Sequence, residues 1–509
     1  MRALAADFAP YQWSPPSDEV ARLAGIDPSQ VLRFDQNTPT LPLPSSRPGT
    51  IAGALARVTD YPAGRNRTLR GAIAGYAGVE PENVVLGAGA DDLILLCARA
   101  YAGPGDTVAI PETPTYALFR IAAQLAGATV GDGDPVLTFA CRPNNPTGAL
   151  DPLPDARPLV VDEAYFEYSG ETALPLVAEG VVVLRTFSKA FALAGARIGY
   201  ALASTDVAAE LNARQSPAPV STLSAALAVA ALASPPDMTP VLEERERLAS
   251  ALRALGLAPL ESHANFLFVP VVDGLELGEA LLRQGLVVRS YDEAIRVSVR
   301  DREDDDLFVE TLARILDRPS PAAPAGGRRA RTLRATAETR LAVRLALDGA
   351  SRVRVATGAG LYDHLLEQLA FHAGFDVVLE GAGDLETGEH HTAEDAALAF
   401  GEALDAALGD RRGIARYGDA VVPMDDALAR AAVDLGGRPH AELKLEHDPG
   451  LAGHMLASLA QAARAAIHIE ATGRDAHHTA EAAFKAVGRA LRVAVRVEGE
   501  GLPSTKGRL

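Results

Sequence analysis

Short, unbroken apolar runs separated by amphipathic or Ala-rich stretches dominate the first part of the chain. VVLGAG (84–89), DTVAIPE (106–112), PLVVDEAY (158–165) and VVVLRTFSK (181–189) each carry consecutive Val, Leu or Ile positions without polar alternation. Such runs predict strands buried on both faces. With helical patterns between them, they predict an α/β fold with a mostly parallel sheet between helices. Chemistry in such sheets collects beyond the carboxyl ends of the strands. There Asp162 ends one run, Lys189 follows another, and Gly87 and Gly89 follow a third. One stretch, Gln215–Pro236, runs 22 residues without a charge but holds four prolines and five Ser/Thr. It reads as a buried Ala-rich helix with a loop before it, not a membrane span.

The pattern changes past residue 331. HHTAED (390–395) returns as HHTAEA (477–482), 87 residues later, and DHLLEQLA (363–370) returns as GHMLASLA (453–460), 90 residues later. Two motifs recurring in the same order at nearly the same offset indicate a duplicated unit of about 90 residues. Ten of the 11 histidines lie between His364 and His478, and only His263 falls earlier. Between the two regions, DRPSPAAPAGGRRAR (317–331) reads as a flexible tether. The expected organisation is a domain over 1–318, a linker over 319–331 and a domain over 332–509.

Composition narrows the function classes. The length of 509 residues predicts two to four domains, and 48% apolar with 22% charged residues is that of a soluble globular protein. A net charge of −18 argues against a nucleic-acid partner. Two cysteines make no disulfide framework, and the N-terminus lacks the apolar core of a signal peptide, so a cytoplasmic protein is expected.

Each repeat contributes a lone histidine on one helix and His-His-x-x-Glu on another, a pattern that points to metal. Adjacent histidines diverge by about 100° on a helix, so His390 and His391 do not chelate one ion together. His391 and Glu394 are three apart and share a face, as are His478 and Glu481. The expectation is two metals, each served by both copies. One is held by His364, His391, Glu394 and His477, the other by His454, His478, Glu481 and His390. Imidazole and carboxylate donors without thiolate suit an octahedral ion such as manganese.

RPNNPTG (142–148), DEAY (162–165) and SKAFALAGARIGY (188–200) form a chain-ordered set over roughly 30–315. This set resembles the pyridoxal-phosphate aminotransferases of fold type I, most closely the histidinol-phosphate aminotransferases. The resemblance implies that Lys189 bonds the cofactor and shuttles a proton, and that Asp162 keeps the pyridine nitrogen protonated. It implies that Tyr165 and Asn145 serve the phenolic oxygen and Tyr116 stacks on the ring. Ala90, Asp91, Thr186, Ser188 and Arg197 would hold the phosphate. Tyr61 would reach the phosphate of a neighbouring subunit, implying a dimer, and Arg296 would hold the substrate's anionic group. Two departures bear on the substrate more than on the cofactor. QNTPT (36–40) keeps only Asn37 of the usual Asn-Glu-Asn-Pro stretch, and GAGADD (87–92) replaces the usual Gly-Asn-Gly-Ser-Asp-Glu turn. A phosphate-recognising decarboxylase on the same fold is the related reading.

The C-terminal part, across 332–509, resembles imidazoleglycerol-phosphate dehydratase, with RRGIARYG (411–418), VPMDDALAR (422–430), DLGGRPH (434–440) and LPSTKG (502–507) as further matches. The resemblance implies an α+β duplicated domain in which Glu338, Arg416, Arg438, Ser504, Thr505 and Lys506 contact the substrate. Two Mn2+ ions per site would act as Lewis acids while the imidazole delocalises charge as an imidazolate. Glu338 is the candidate base, with a water on a metal as its rival. The ketone made by such a dehydratase is what such an aminotransferase consumes, with glutamate as amino donor. The expected protein is therefore a bifunctional enzyme of histidine biosynthesis. Its alternatives are an active aminotransferase on a metal-stabilised assembly scaffold, or an active dehydratase with an empty cofactor site. The dehydratase resemblance implies a homo-oligomer of 24 subunits, which divides evenly into 12 dimers.

Overall fold

The computed structural model describes residues 4–5, 7–26, 28–39, 53–56, 58–59, 61–62, 64, 66–111, 114–321, 328–349 and 351–504. The chain divides into two compact units, Met1–Ala322 and Ala323–Leu509. No helix among the described residues is long and apolar enough to cross a membrane.

The first unit is built on a seven-stranded sheet. Its strands are β1 (Val84–Gly87), β2 (Thr107–Ala109), β3 (Thr129–Val130), β4 (Leu137–Cys141), β5 (Leu159–Asp162), β6 (Val181–Thr186) and β7 (Gly199–Leu202), in the order β1-β7-β6-β5-β4-β2-β3. All neighbours pair parallel except β7, which runs antiparallel to both β1 and β6. Every residue of β1, β4, β5 and β6 is buried, as unbroken apolar runs require. Separate hydrophobic clusters cover the two faces. Helices α1 (Ala90–Tyr101) and α2 (Leu118–Ala126) lie on one of them. The charge-free stretch forms α3 (Thr222–Leu232), capped by Ser221 and burying Ala225, Ala228 and Ala231. A three-stranded antiparallel sheet of β8 (Phe266–Pro270), β9 (Arg289–Tyr291) and β10 (Ala294–Ser298), in the order β9-β10-β8, completes the site's framework.

The second unit is the same fold written twice. The first copy runs β11 (Arg329–Ala335), β12 (Thr339–Ala346), β13 (Val353–Ala356), α4 (Gly360–Ala373), β14 (Asp376–Gly383) and α5 (His390–Leu408). The second runs β15 (Tyr417–Met424), β16 (Ala427–Asp434), β17 (His440–Leu445), α6 (Ala452–Ala462), β18 (Ala466–Thr472) and α7 (Ala476–Ala494). The sheets repeat the same order, β11-β12-β14-β13 and β15-β16-β18-β17. Strands alternate buried and exposed residues, so each sheet presents one face to a common core. The helices pair across copies. Gly401 of α5 sits where a Cβ would lie 2.7 Å from Leu459 O of α6, and Gly488 of α7 where a Cβ would lie 2.3 Å from Leu369 O of α4. Both glycines follow the first histidine of the doublet by 11 residues. They let α5 close on α6 and α7 close on α4.

The tether is shorter than its composition suggests. β11 starts at Arg329, inside the expected linker 319–331, because Arg329 and Arg331 stand on a face of the strand while Ala330 and Thr332 turn toward the core side with Leu345 and Val343. Pairing within a hairpin outweighs the basic, small-residue composition that marks a tether. Residues 322–327 lie outside the described residues.

Candidate active sites

In the first unit the predicted residues converge at the carboxyl ends of β5 and β6. Asp162 closes β5, fully enclosed, accepting from Ala164 N at 3.1 Å. Burial and then the Asp91 carboxylate push its carboxyl up to about 7, against the pull of that N–H and of Lys189. Lys189 follows β6, half-buried, and donates to Gln36 O at 2.9 Å. Burial and then the Arg296 guanidinium lower its amine to about 8. Tyr165 is buried, and its hydroxyl accepts from Asn37 Nδ2 at 2.9 Å. Burial holds its phenol above the usual range. On β10, Arg296 reaches Asn145 Oδ1 and Asp35 O, while its Nε is buried without a partner.

Two glycines shape the start of α1. Gly89 precedes it with φ +91°, and Gly199 passes so close that a Cβ would lie 2.8 Å from Ala90 N. Thr186 Oγ1 donates to Ser188 Oγ at 3.0 Å. Asp91 does not point its carboxylate at an anion, since it accepts from Tyr116 Oη and from Arg197, both at 2.9 Å. Burial, then Asp91, raises the Tyr116 phenol. A lysine with a lowered amine, an enclosed carboxyl, a helix N-terminus and an orphaned arginine donor together fit a phosphorylated aldehyde cofactor and an anionic substrate. Tyr61 is 91% exposed.

Sequence reasoning passed over the frame holding these groups. Asn37, at φ +53°, ties Tyr165 to Ser298 and to Asn265 Nδ2. Its signal was its place in QNTPT (36–40), the one Asn kept from the family stretch, without a role attached to it. Lys189 is also the only lysine before residue 444, one of four in the chain, a compositional mark that singles it out.

In the second unit, His364, His477 and Glu481 have donor atoms within 4.8 Å of one another, and so do His390, Glu394 and His454. The His364 and His477 rings stack at 6.0 Å, and the His390 and His454 rings at 5.1 Å. The cross-copy pairing of histidines matches expectation, but the carboxylates are exchanged. Glu481 joins His364 and His477 (3.5 and 3.7 Å), and Glu394 joins His390 and His454 (3.5 and 3.4 Å). The reason is helical. Each glutamate follows the first histidine of its doublet by four residues, one turn along the same face, and α7 packs on α4 while α5 packs on α6. His391 and His478 stand outside both triplets. His391 Nδ1 meets Asp384 at 3.1 Å and Glu338 at 3.7 Å. His478 Nδ1 meets Asp426 at 2.7 Å. Hydrogen bonds to Asp384 and Asp426, respectively, raise both imidazoles above their usual range.

Lys485 was also missed. Its Nζ donates to Glu481 at 2.9 Å from one turn further along α7. Burial raises the Glu481 carboxyl, but the lysine and the two histidines leave it below the usual carboxylate value. Its signal was spacing, Lys four residues after the glutamate. Glu338 lines an open hollow of about 320 Å³ with Thr336, Arg340 and Asp384. Arg416, at φ +72°, grips Asp434 with two nitrogens at 2.7 and 3.1 Å and donates to Pro503 O at 2.9 Å. Arg438 is exposed, and Ser504 closes the described chain. Thr505 and Lys506 lie outside the described residues.

Residues 29–134 and 132–312 match the family model for class I and II aminotransferases, more than half of the chain. Residues 357–491 match the model for imidazoleglycerol-phosphate dehydratase. A dehydratase of that name from Methanothermobacter thermautotrophicus is 50% identical over 190 residues, 36% of this chain and 98% of the relative. The chain belongs to both families. Another dehydratase, from Acidothermus cellulolyticus, is 48% identical over 197 residues, 37% of this chain and 96% of the relative. The aminotransferase half superposes on the histidinol-phosphate aminotransferase of Sinorhizobium meliloti, solved with pyridoxal-5'-phosphate. There the TM-score is 0.53 and the identity 25%, over 62% of this chain and 98% of that one. The Clostridium acetobutylicum enzyme of the same name shares the fold at 22% identity and TM-score 0.51, over 56% of this chain and 99% of that one. The fold is thus that of fold type I in one half, joined to an α+β dehydratase half. The protein is an enzyme with an imidazoleglycerol-phosphate dehydratase half and a pyridoxal-phosphate-dependent aminotransferase half.

Proposed function

We propose that this chain dehydrates imidazole glycerol phosphate to imidazole acetol phosphate and transaminates that ketone, with glutamate as donor, to L-histidinol phosphate. The observation that carries the reading is two chemically different clusters of functional side chains on one chain. One has a lowered lysine beside a buried carboxyl and an arginine, and the other has paired His-His-Glu triplets.

In the aminotransferase half, Lys189 would hold the cofactor and then carry the proton at the substrate carbon. Pyridoxal phosphate, when bound, supplies the electron sink. Asp162 keeps the pyridine nitrogen protonated, Tyr165 and Asn145 hold the phenolic oxygen, and Tyr116 covers the ring. Ala90 and Asp91 offer backbone N–H groups to the phosphate, with Thr186, Ser188 and Arg197 beside them. Arg296, with its buried and unpartnered Nε, takes the substrate's anionic group. Tyr61 would serve the site of a second subunit in a dimer.

In the dehydratase half, His364, His390, His391, Glu394, His454, His477, His478 and Glu481 would hold two divalent ions, manganese by their donor chemistry. When bound, the ions supply Lewis acidity. Glu338 removes the carbon-bound proton, and Arg416, Arg438, Ser504, Thr505 and Lys506 hold the phosphate and hydroxyls. His391 and His478 would complete sites between subunits in a 24-chain assembly, located in the cytoplasm.

The test is the pure protein with imidazole glycerol phosphate and Mn2+ but no glutamate. Accumulation of imidazole acetol phosphate supports the reading. An unchanged substrate refutes the dehydratase assignment. Mass in solution with and without Mn2+ tests the assembly, and a dimer that dehydrates at full rate in Mn2+ refutes it.

A further inference from the structure

The duplicated halves of the dehydratase unit hold their outlying histidines by different means. In each copy, one acid ends the hairpin turn directly before the second strand: Glu338 before β12 and Asp426 before β16. In the second copy that acid is fully engaged with its histidine. Asp426 Oδ1 lies 2.7 Å from His478 Nδ1, while its Oδ2 accepts from Arg474 N at 2.7 Å and Asp475 N at 3.1 Å. In the first copy the equivalent acid stands off, with Glu338 Oε2 3.7 Å from His391 Nδ1. Its place is taken by Asp384, whose two oxygens lie 3.2 and 3.1 Å from that nitrogen and which accepts from Thr387 Oγ1 at 2.9 Å.

Asp384 has no acidic counterpart in the second copy. The strand glycines Gly383 and Gly473 are equivalent, each so close to the Thr of its HHT motif that a Cβ would lie 2.0 Å from Thr392 Oγ1 or 2.7 Å from Thr479 Oγ1. The next residue is Asp384 in one copy and Arg474 in the other. The role of holding the histidine has therefore moved from the hairpin to the strand end in the first copy alone.

We propose that Asp384 and Asp426 are positioning residues that hold the Nδ1–H of His391 and His478 and leave Nε2 to face a metal ion, and that Asp384 thereby frees Glu338 for the substrate. A carboxylate on one ring nitrogen fixes tautomer and ring orientation and makes the other nitrogen a better donor. Nε2 of His478 lies 3.7 Å from Asp425 Oδ2, beyond hydrogen-bond distance. This inference rests on the metal reading above and gives the duplicated fold one free hairpin acid instead of two.

The test is Mn2+ binding to the full-length protein, read by the electron paramagnetic signal of free Mn2+, with Mn2+ as the only added ligand. Asp384→Asn and Asp426→Asn keep side-chain shape and are each expected to weaken one class of ion by about 10- to 100-fold. Asp384→Glu and Asp426→Glu restore part of the loss. Glu338→Gln is expected to leave both affinities within about twofold while cutting dehydration. In the metal-free protein, 15N-histidine spectra should show His391 and His478 protonated at Nδ1, and the Asn variants should lose that tautomer preference. Unchanged affinity and tautomer in either Asn variant overturns the proposal. So does a Glu338→Gln loss equal to that of Asp384→Asn. A wild-type protein that binds no Mn2+ overturns the metal reading itself, a different outcome from wild-type binding with indifferent variants.

Discussion

Replacing Gly488 by alanine tests whether helix proximity builds the metal triplets. The added Cβ would lie 2.3 Å from Leu369 O and 3.2 Å from Ala373 N, where ordinary contact begins at 3.4 Å. Both obstacles are backbone, so α4 and α7 must separate by about 1 Å. Overpacking of this kind costs about 1–3 kcal/mol, offset in part by about 1 kcal/mol of helix propensity gained over glycine. Against a domain stability of about 5–15 kcal/mol, the fold survives. The site tolerates less, because metal distances are fixed within about 0.2 Å. His364 rides on α4, whereas His477 and Glu481 ride on α7. Affinity for the ion of that triplet should fall by at least the 10-fold typical of disturbed ligand support. Gly401→Ala, whose Cβ would lie 2.7 Å from Leu459 O and Ala462 Cβ, should weaken the His390–Glu394–His454 triplet instead. Gly360→Ala, whose Cβ meets nothing within 4 Å, is the control. The assay is Mn2+ titration beside thermal unfolding. A folded Gly488→Ala protein with wild-type affinity at both ions would refute the argument that helix spacing sets the donor geometry.

Lys189→Ala should abolish transamination and leave dehydration intact, checked by assaying the two half-reactions separately. Loss of both in a folded variant contradicts two independent sites. Because burial disfavours the charged amine, the cofactor-free protein should be labelled at Lys189 by an amine reagent with a midpoint near pH 8. The sign is fixed, since a neutral amine is the nucleophile and a lowered value brings it forward at lower pH. Peptide mapping that places the midpoint above pH 10 rejects the burial argument. Arg296→Lys should raise the KM for the phosphorylated substrate by about 10-fold or more, since a point charge cannot reproduce a planar fork. An unchanged KM would show that the arginine does not touch it. Chelation should remove dehydration while the cofactor absorbance persists, and persistence of dehydration in metal-free protein would exclude the two-ion account.

Much of this was readable in the chain because it is periodic or local. Unbroken apolar runs specify β1, β5 and β6, since a strand buried on both faces has no polar alternation to show. The repeat of HHTAE gave the cross-copy pairing of histidines. Non-local packing decided the rest. The carboxylate of each triplet depended on which helix meets which, information carried by Gly401 and Gly488 but readable only once α4 faces α7. Asp384 and Asp426 lie in turns whose residues look like ordinary loop acids, and only the fold brings them to His391 and His478. Arg329 and Arg331 read as tether because charge and small residues mark linkers, while the hairpin register that makes them strand pairs them with Ala346 and Arg344, 17 and 13 residues further along the chain.

The most direct measurement gives the pure protein imidazole glycerol phosphate, glutamate, Mn2+ and pyridoxal phosphate together and follows the products by mass spectrometry. The account predicts histidinol phosphate, with 2-oxoglutarate formed in equal amount and imidazole acetol phosphate as the intermediate. Imidazole acetol phosphate that accumulates without being aminated, or a substrate left untouched, would contradict two working sites on one chain.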